Sequence, residues 1–374
     1  MTSATVLATI FGALPGIVSM VLGIMFLILI HEFGHWIVAR TLGFQTPVFA
    51  IGFGKRSWSL VLGKFWDTEF RLSPILLGGY VSIPELQDET TAKEMLGDEL
   101  KDYNFFPVWK RMSVAVAGVV MNVLFAIVAI AMLFAIIGQP KMEISATKIR
   151  GLDTQVSIAH DAGLQAGDVF VSVDGTAVKL PEDLLKAVQA KKNQPAKIVV
   201  SRNGKPVEVQ VTPNADGRIG IQIDVDAVKT YEKMDAWTAT KTGVSTSFNT
   251  MGSMLNGFGM MLGIVEKPAA MPDAALEMHG IVGIVQVGAQ AFDAGLFAFV
   301  WILAMISLNL AIINILPIPM LDGGHMLFFT IEKIRGKAIS IATRNKVSSF
   351  FFILLVGLML WGLVNDIVKP IQLP

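Results

Sequence analysis

Long apolar stretches dominate the chain, and four of them carry no charged residue. They comprise residues 1–30, 112–137, 295–321 and 347–365. A helix needs about 20 apolar residues to cross the hydrocarbon core of a bilayer. The pattern therefore predicts four transmembrane helices and, as fold class, a polytopic α-helical membrane protein. The first stretch lacks the basic start of a signal peptide and its apolar run continues to Ala39, so we expect it to remain as a helix.

Between the second and third predicted helices, the pattern changes to short runs typical of a soluble domain. Two β-rich runs, 197–201 and 207–211, flank an Asn-Gly pair, which predicts a β-hairpin. A helical run covers 181–190, and residues 161–175 read DAGLQAGDVFVSVDG. The pattern AGLxxGDxxxxxxG resembles a PDZ domain of the bacterial, protease-associated kind, an α+β fold. The resemblance implies peptide capture by strand addition at a sheet edge; the alternative is an unrelated small β-domain.

The chain is accordingly predicted to have four parts. Residues 1–137 hold the first two transmembrane helices with a cytoplasmic-side loop, 138–228 the PDZ-like domain, 229–294 a linker with an amphipathic helix, and 295–374 the last two helices. In the linker, apolar residues recur with the spacing of one helix face; they are Trp237, Val244, Phe248, Met251, Leu255, Phe258 and Leu262. This face is predicted either to lie at the membrane surface or to pack against the PDZ-like domain.

Loop charge predicts how the chain crosses the membrane. Between the third and fourth apolar stretches, Glu332 is outnumbered by basic residues, namely Lys333, Arg335, Lys337, Arg344 and Lys346. The positive-inside rule makes this loop cytoplasmic. Alternation then makes 41–111 cytoplasmic and places 138–294 and both termini outside. The predicted location is the bacterial inner membrane, with the PDZ-like domain in the periplasm. Helices one and three run in the same direction.

Composition narrows the chemistry. Charged residues make up 16% of the 374 residues, against about 25% in an average soluble domain. The formal net charge is zero, so nucleic acid is not an expected partner. The sequence has no cysteine, which excludes disulfides, thiolate metal sites and a cysteine nucleophile. A metal ion would therefore be held by His, Asp or Glu.

The strongest chemical signal is the HEFGH sequence that begins at His31. Residues four apart share one helix face, so the imidazoles of His31 and His35 can meet one metal ion. Glu32 can then act on a water molecule without being a ligand, as in the HExxH arrangement of zinc peptidases. Ionisable groups at the end of an apolar helix are functional by default.

A catalytic zinc needs a third protein ligand and one open position. Asp322 follows the third apolar stretch, and His31 and His35 lie near the inner end of the first. Because these two helices run in the same direction, Asp322 is predicted at the depth of the histidines, at the inner end of helix three. Pro317 and Pro319 are predicted to interrupt that helix beside the metal.

Together, HEFGH, the sequence NILPIPMLDG at 314–323 and the PDZ-like insert resemble the site-2 protease family, in its bacterial RseP-like branch. The resemblance implies His31, His35 and Asp322 as Zn²⁺ ligands, Glu32 as general base and Asn314 as a residue that holds the substrate backbone. The remaining family-like segments are Gly52, Phe53 and Gly54 in a membrane-associated β-hairpin that binds substrate, GGYV at 78–81, and HGIVGI at 279–284, where Ile281 replaces a proline. The best-known RseP-like proteins have two PDZ domains; this chain has room for one.

The predicted function is cleavage of transmembrane segments of single-pass membrane proteins within the lipid bilayer. Regulated intramembrane proteolysis, acting on anti-sigma factors or signal peptide remnants, is the expected setting, and the PDZ-like domain is expected to bind or to exclude substrate. One alternative is an inert membrane adaptor, which the intact Glu32 disfavours. Another is a metal transporter, disfavoured because the second and fourth apolar stretches lack charge. His325 is predicted to support the site or meet headgroups rather than to be a fourth ligand.

Overall fold

The computed structural model describes residues 3–86, 106–153, 156–268, 280–337 and 339–368. The chain forms two compact units, each considered separately below. The first unit combines Met1–Ile137 with Met234–Pro374, and the second is Gly138–Lys233. The second unit extends past the predicted domain end at residue 228, because its last strand stays paired up to Glu232.

The described helices are numbered in chain order. They are α1 Ser3–Leu42, α2 Val108–Ile136, α3 Ile158–Asp161, α4 Pro181–Gln189, α5 Ala236–Met261, α6 Ile281–Asp293, α7 Leu296–Ile315, α8 Asp322–Arg335 and α9 Ile341–Val368. Within the described residues, four helices are long and apolar enough to cross a membrane, namely Gly12–Leu42, Val108–Ile136, Leu296–Ile315 and Ala342–Asp366. The four predicted spans are thus confirmed by length and composition.

The strands are numbered in the same way. They are β1 Val48–Phe53, β2 Leu60–Phe65, β3 Thr68–Leu72, β4 Ile75–Val81, β5 Gln139–Leu152, β6 Val169–Val173, β7 Thr176–Ala177, β8 Ala196–Arg202, β9 Lys205–Val211 and β10 Ile221–Glu232. They form one four-stranded sheet in the first unit and one six-stranded sheet in the second.

Close helix packing in the first unit depends on small residues. A Cβ at Gly34 of α1 would lie 2.5 Å from the Ala117 carbonyl oxygen of α2. Between apolar helices in lipid, small residues allow the backbones to approach and so favour association. The other face of α2 packs on α7 through a cluster that includes Ala126, Ile130, Ala304 and Leu308. Helix α2 therefore lies at the centre of the bundle.

The third apolar stretch is broken where its prolines predict. Helix α7 ends at Ile315, shortly before Pro317, since a proline lacks the amide that a helix interior needs. The prediction that Asp322 ends helix three is wrong in detail, because Asp322 is the first residue of the separate helix α8. Gly323 permits this geometry: a Cβ there would lie 2.1 Å from the Leu316 carbonyl oxygen.

The membrane-associated hairpin predicted around Gly52–Gly54 is part of a larger sheet. Its strand order is β2-β3-β1-β4. Strands β2 and β3 form a hairpin through Trp66 and Asp67, both of which have positive φ. Every residue of β2 is exposed, and most of them are apolar. The free edges of this sheet are β2 and β4, so the strand that carries Gly52 is not an edge strand.

Helix α5 packs through the face opposite to the predicted apolar face. The buried residues are Ala239, Gly243 and Ser247, and a Cβ at Gly243 would lie 2.9 Å from the Ile127 carbonyl oxygen of α2. The predicted apolar face is mostly exposed, as at Phe248. Helix α5 thus packs on a membrane-spanning helix through small residues, as helices do in lipid.

The second unit is a six-stranded sheet with order β10-β5-β6-β8-β9 and with β7 paired to β6. The predicted hairpin is confirmed: β8 pairs with β9 through Asn203 and Gly204, both with positive φ. Its core packs residues of α4 against the sheet, including Leu184. The buried Asp168 accepts hydrogen bonds from the Arg202 guanidinium, and this contact holds the pKa of the Asp168 carboxyl below its usual range.

Candidate metal centre

The two histidines of the HEFGH sequence lie on one face of α1, as their spacing predicts. Both rings are almost fully buried, and their Nε2 atoms are 3.2 Å apart. The rings meet edge to face, with centroids separated by 4.8 Å. The helix alone therefore turns two imidazole nitrogens towards one point.

The start of α8 brings Asp322 to the same point. Its Oδ2 atom lies 3.0 Å from Nε2 of His31 and 3.3 Å from Nε2 of His35. Tetrahedral zinc with ligands at 2.0–2.1 Å requires donor atoms about 3.3 Å apart. Oδ2 is also buried without a hydrogen bond of acceptable geometry from any described residue. The three donors fit a zinc ion, and a set of three leaves one coordination position open.

The outer nitrogens of both rings contact α2. Nδ1 of His35 donates to the Val114 carbonyl oxygen at 2.8 Å, and Nδ1 of His31 lies 3.2 Å from the Asn122 side-chain nitrogen. Such contacts from the second nitrogen fix the orientation and tautomer of a metal-binding histidine.

A glycine of α2 makes room for the two rings. A Cβ at Gly118 would lie 2.4 Å from Nε2 of His35 and 2.7 Å from Nε2 of His31. These distances are far shorter than a van der Waals contact, so any side chain at this position would displace at least one nitrogen donor. Sequence reasoning missed both Gly118 and Asn122. The sequence did contain one indication of a functional position, because Asn122 is a polar residue within a charge-free apolar span.

Glu32 lies between the two histidines in sequence and is held by the four-stranded sheet. Its Oε2 atom accepts a hydrogen bond from the backbone amide of Val81 in β4, at 3.1 Å. The next amide, that of Ser82, donates to the carbonyl oxygen of Val48, the first residue of β1, so the Val81 amide points away from β1. Gly79 lies beside the same side chain, because a Cβ there would be in ordinary van der Waals contact with Cγ of Glu32, at 3.7 Å. The GGYV segment therefore borders the site.

The residues predicted to bind substrate are not part of the donor cluster. Asn314 is on the last turn of α7 and is partly buried. Gly52 has a φ of +84°, and a Cβ there would lie 2.8 Å from the carbonyl oxygens of Ser73 and Ile75. Phe53 stacks on Tyr80, and Gly54 faces the ring of Pro74. Their contact with substrate stays a prediction.

Two further predicted positions have clear local partners. Nδ1 of His325 lies 3.0 Å from the Arg344 guanidinium of α9, so this ring nitrogen is bonded outside the donor cluster. The segment that begins with His279 starts outside the described residues. From Gly280 onward it forms the start of α6, where the Asp366 carboxylate accepts from the amides of Gly280 and Gly283, each at 2.8 Å. Ile281 thus occupies a first-turn position where proline is favoured but not required.

Comparisons with known proteins show which family the chain belongs to. Residues 19–358 match Peptidase family M50. The chain is 31% identical to "Putative zinc metalloprotease Cj1068" of Campylobacter jejuni, over 94% of this chain and 93% of that protein. Proteins with the same description from Brucella suis and Clostridium acetobutylicum are each 29% identical, over 96% and 95% of this chain. The expected zinc and the resemblance to the site-2 proteases are confirmed: the chain is a zinc metalloprotease of the membrane and belongs to peptidase family M50.

Proposed function

We propose that this protein cleaves the transmembrane segments of single-pass membrane proteins, with His31, His35 and Asp322 as zinc ligands and Glu32 as general base. The observation that carries the proposal is the approach of three donor atoms to within 3.0–3.3 Å of one another beside Glu32. When bound, zinc supplies Lewis acidity, which polarises a carbonyl and acidifies water at neutral pH.

Glu32 is placed for proton transfer. Its carboxylate is tied at one oxygen to the Val81 amide, which limits its rotamers. In this proposal Glu32 takes a proton from the attacking water and returns it to the leaving amine. Asn314, on the last turn of α7, holds the substrate backbone.

The free edge of β4 suits an extended substrate. A helical segment hides its carbonyls in internal hydrogen bonds and must unwind before it is cut. Because the Val81 amide faces away from β1 and reaches Glu32, a substrate strand paired along β4 would pass beside the general base. Strand addition of this kind uses only backbone groups, so it would tolerate many transmembrane sequences. Gly52, Phe53 and Gly54 support this edge from the neighbouring strand.

The orientation of the protein is also a proposal, supported by how the helix ends meet. The Lys110 ammonium donates to the Leu42 carbonyl, and the Arg111 guanidinium forms an ion pair with Glu332. The end of α1, the start of α2 and the end of α8 therefore share one side. This side carries the basic residues, so we assign it to the cytoplasm of a bacterial inner membrane. Helix α5 turns Phe248 towards lipid.

The second unit is proposed to be a periplasmic PDZ-like domain. A cleft of about 310 Å³ runs between α4 and the start of β10, and Leu184, Val188, Arg218 and Ile221 are among its lining residues. A cleft lined by both apolar side chains and polar groups can hold a peptide end. In regulated proteolysis the domain would bind or exclude the outer part of a substrate.

The test uses the full chain, reconstituted with a model single-pass substrate. Glu32→Gln should lose at least about 100-fold in cleavage while keeping zinc, because Glu32 is not a ligand. Asp322→Ala should lose zinc and cleavage together. Glu182→Gln, which changes an exposed acid of α4, serves as the control and should behave as the unchanged protein. Normal turnover by Glu32→Gln would refute the mechanism, and zinc-loaded protein that cuts no transmembrane segment would favour the inert adaptor.

A further inference from the structure

An asparagine lies in the middle of the apolar helix α2. Asn122 of α2 is fully buried. Burying an amide without hydrogen bonds is energetically unfavourable in proteins, so a buried Asn among apolar residues requires an explanation. Its main-chain oxygen accepts a hydrogen bond from the Ser307 hydroxyl of α7, at 2.9 Å. That bond leaves the side-chain amide available for another role.

The side-chain amide faces the outer nitrogen of His31. Its nitrogen lies 3.2 Å from Nδ1 of His31, and its Oδ1 atom is buried without a hydrogen-bond partner among the described residues. The nitrogen and oxygen of an Asn amide are nearly indistinguishable by position, so the hydrogen-bond network must assign them. Turning the amide by 180° costs no hydrogen bond here, because the position now held by Oδ1 has no partner.

The two orientations have opposite consequences for His31. If the amide nitrogen donates to Nδ1, the imidazole proton must sit on Nε2, the atom that faces Asp322. If Oδ1 takes that place, it accepts from Nδ1–H and leaves the Nε2 lone pair free for a metal ion. Only the second orientation is compatible with the three-donor cluster.

The neighbouring ligand follows the same scheme. Nδ1 of His35 donates to the Val114 carbonyl oxygen, which is an acceptor only, so Nε2 of His35 is fixed as the free nitrogen. Val114, Gly118 and Asn122 are spaced by four residues and share one face of α2. This face thus presents an acceptor for His35, a gap for both rings and an acceptor for His31.

We propose that Asn122 is the positioning residue of His31: its amide oxygen holds the imidazole in the tautomer and orientation that bind zinc. The inference deepens the proposed function and rests on it. Removing the hydrogen-bond partner of a metal-binding histidine typically lowers metal affinity 10–100-fold. Asn122 touches neither substrate nor metal, so the effect should appear first in metal binding.

The test measures Zn²⁺ affinity of the full-length protein in detergent by competition with a chelator, and the absorption bands of the Co²⁺-loaded protein. Asn122→Ala should weaken Zn²⁺ binding about 10–100-fold and shift the Co²⁺ bands. Asn122→Asp keeps an acceptor beside Nδ1 and should restore both. Val119→Ala shortens another buried side chain of α2, and as the packing control it should keep the affinity of the unchanged protein.

The outcomes separate a failure of the positioning role from a failure of the proposed function. Equal affinities and spectra in the unchanged protein and in Asn122→Ala overturn the positioning role. A loss in Asn122→Ala that Asn122→Asp does not restore, or that Val119→Ala reproduces, also overturns it, since packing then accounts for the effect. If the unchanged protein binds no Zn²⁺, the proposed function fails as well.

Discussion

At the scale of single residues, the proposed metal centre depends on the lack of a side chain at Gly118 as much as on its donor atoms. In the proposed ligand set, His31, His35 and Asp322 supply the donor atoms, but the Nε2 atoms of the two histidines fit against α2 only because residue 118 is glycine. The nearest imidazole nitrogen would lie 2.4 Å from a new Cβ. Neither helix can give way easily, because Gly34 already brings α1 against the α2 backbone.

We therefore predict that Gly118→Ala impairs zinc binding. The methyl group must displace one or both imidazoles, and a displacement near 1 Å can cost on the order of 100-fold in rate. The measurement is zinc content after dialysis, followed by cleavage of the model substrate. Gly357→Ala in α9 is the matched control, since a Cβ there meets nothing within 4 Å. Full zinc content and activity in Gly118→Ala would show that the rings have more room than these distances allow.

The histidine pair was open to sequence reasoning because its geometry is local, and Asp322 because helices one and three were predicted to run in the same direction. Residues 31 and 35 share a helix face whatever surrounds them, and Asp322 follows a proline-marked break in an apolar span. Gly118 and Asn122 were not accessible in this way. Apart from Asn122, the middle of helix α2 is apolar on all sides, so a pattern of polar and apolar residues does not define the face that meets α1, and only the packed structure places these two residues against the histidines.

At the scale of elements, α5 shows how the surrounding solvent decides which face packs. Its spacing of Trp237, Phe248 and Leu255 is that of a helix with one apolar face, which in water would be buried. Beside a membrane-spanning helix the apolar face can remain outside, and close contact comes from small residues. The spacing predicted the helix correctly, whereas the packed face depends on an environment that spacing does not encode.

The contact between α5 and α2 gives a second prediction. Gly243→Ala should lower the thermal stability of the protein, by about 1–3 kcal/mol in free energy of unfolding. The new Cβ would lie 2.9 Å from the Ile127 carbonyl oxygen and 3.2 Å from Cβ of Ala131. The measurement is thermal unfolding in detergent. Gly257→Ala on the same helix has open space around its Cβ and should be neutral or slightly stabilising; equal effects of both changes would contradict the packed face assigned to α5.

At the scale of the whole molecule, the absence of cysteine makes orientation directly testable. Lys337 is exposed after α8, and Lys205 is exposed at the start of β9. Replacing either lysine leaves the helix caps unchanged. Ser340 is a less suitable position, because its hydroxyl accepts a hydrogen bond from the Thr343 amide at the start of α9. With Lys337→Cys, a membrane-impermeant maleimide should label only from the cytoplasmic side, and with Lys205→Cys only from the periplasm. The reverse pattern would overturn the orientation assigned from the basic helix ends.

The role of the second unit can be tested by deleting most of it between two residues that lie opposite each other in the paired strands β5 and β10. Strands β5 and β10 pair from Gln139 with Glu232 to Leu152 with Ile221, and Ala146 lies opposite Asp226. Replacing residues 147–225 by Asn-Gly would close these paired strands with a two-residue hairpin turn. The first unit then keeps its chain connection from α2 to α5, so zinc content and thermal unfolding should stay close to those of the full chain.

Our last prediction is that the shortened protein cleaves substrates that the full chain rejects. We expect the second unit to keep bulky outer domains away, so that substrates are accepted only after an earlier cut has shortened them; specificity then comes from repulsion. Cleavage of full-length and pre-shortened substrates is compared in both proteins. The shortened protein should cut both forms, and the full chain only the pre-shortened one. Recruitment through the cleft beside α4 predicts the opposite, so loss of cleavage of the pre-shortened form by a folded, zinc-loaded deletion protein would refute exclusion.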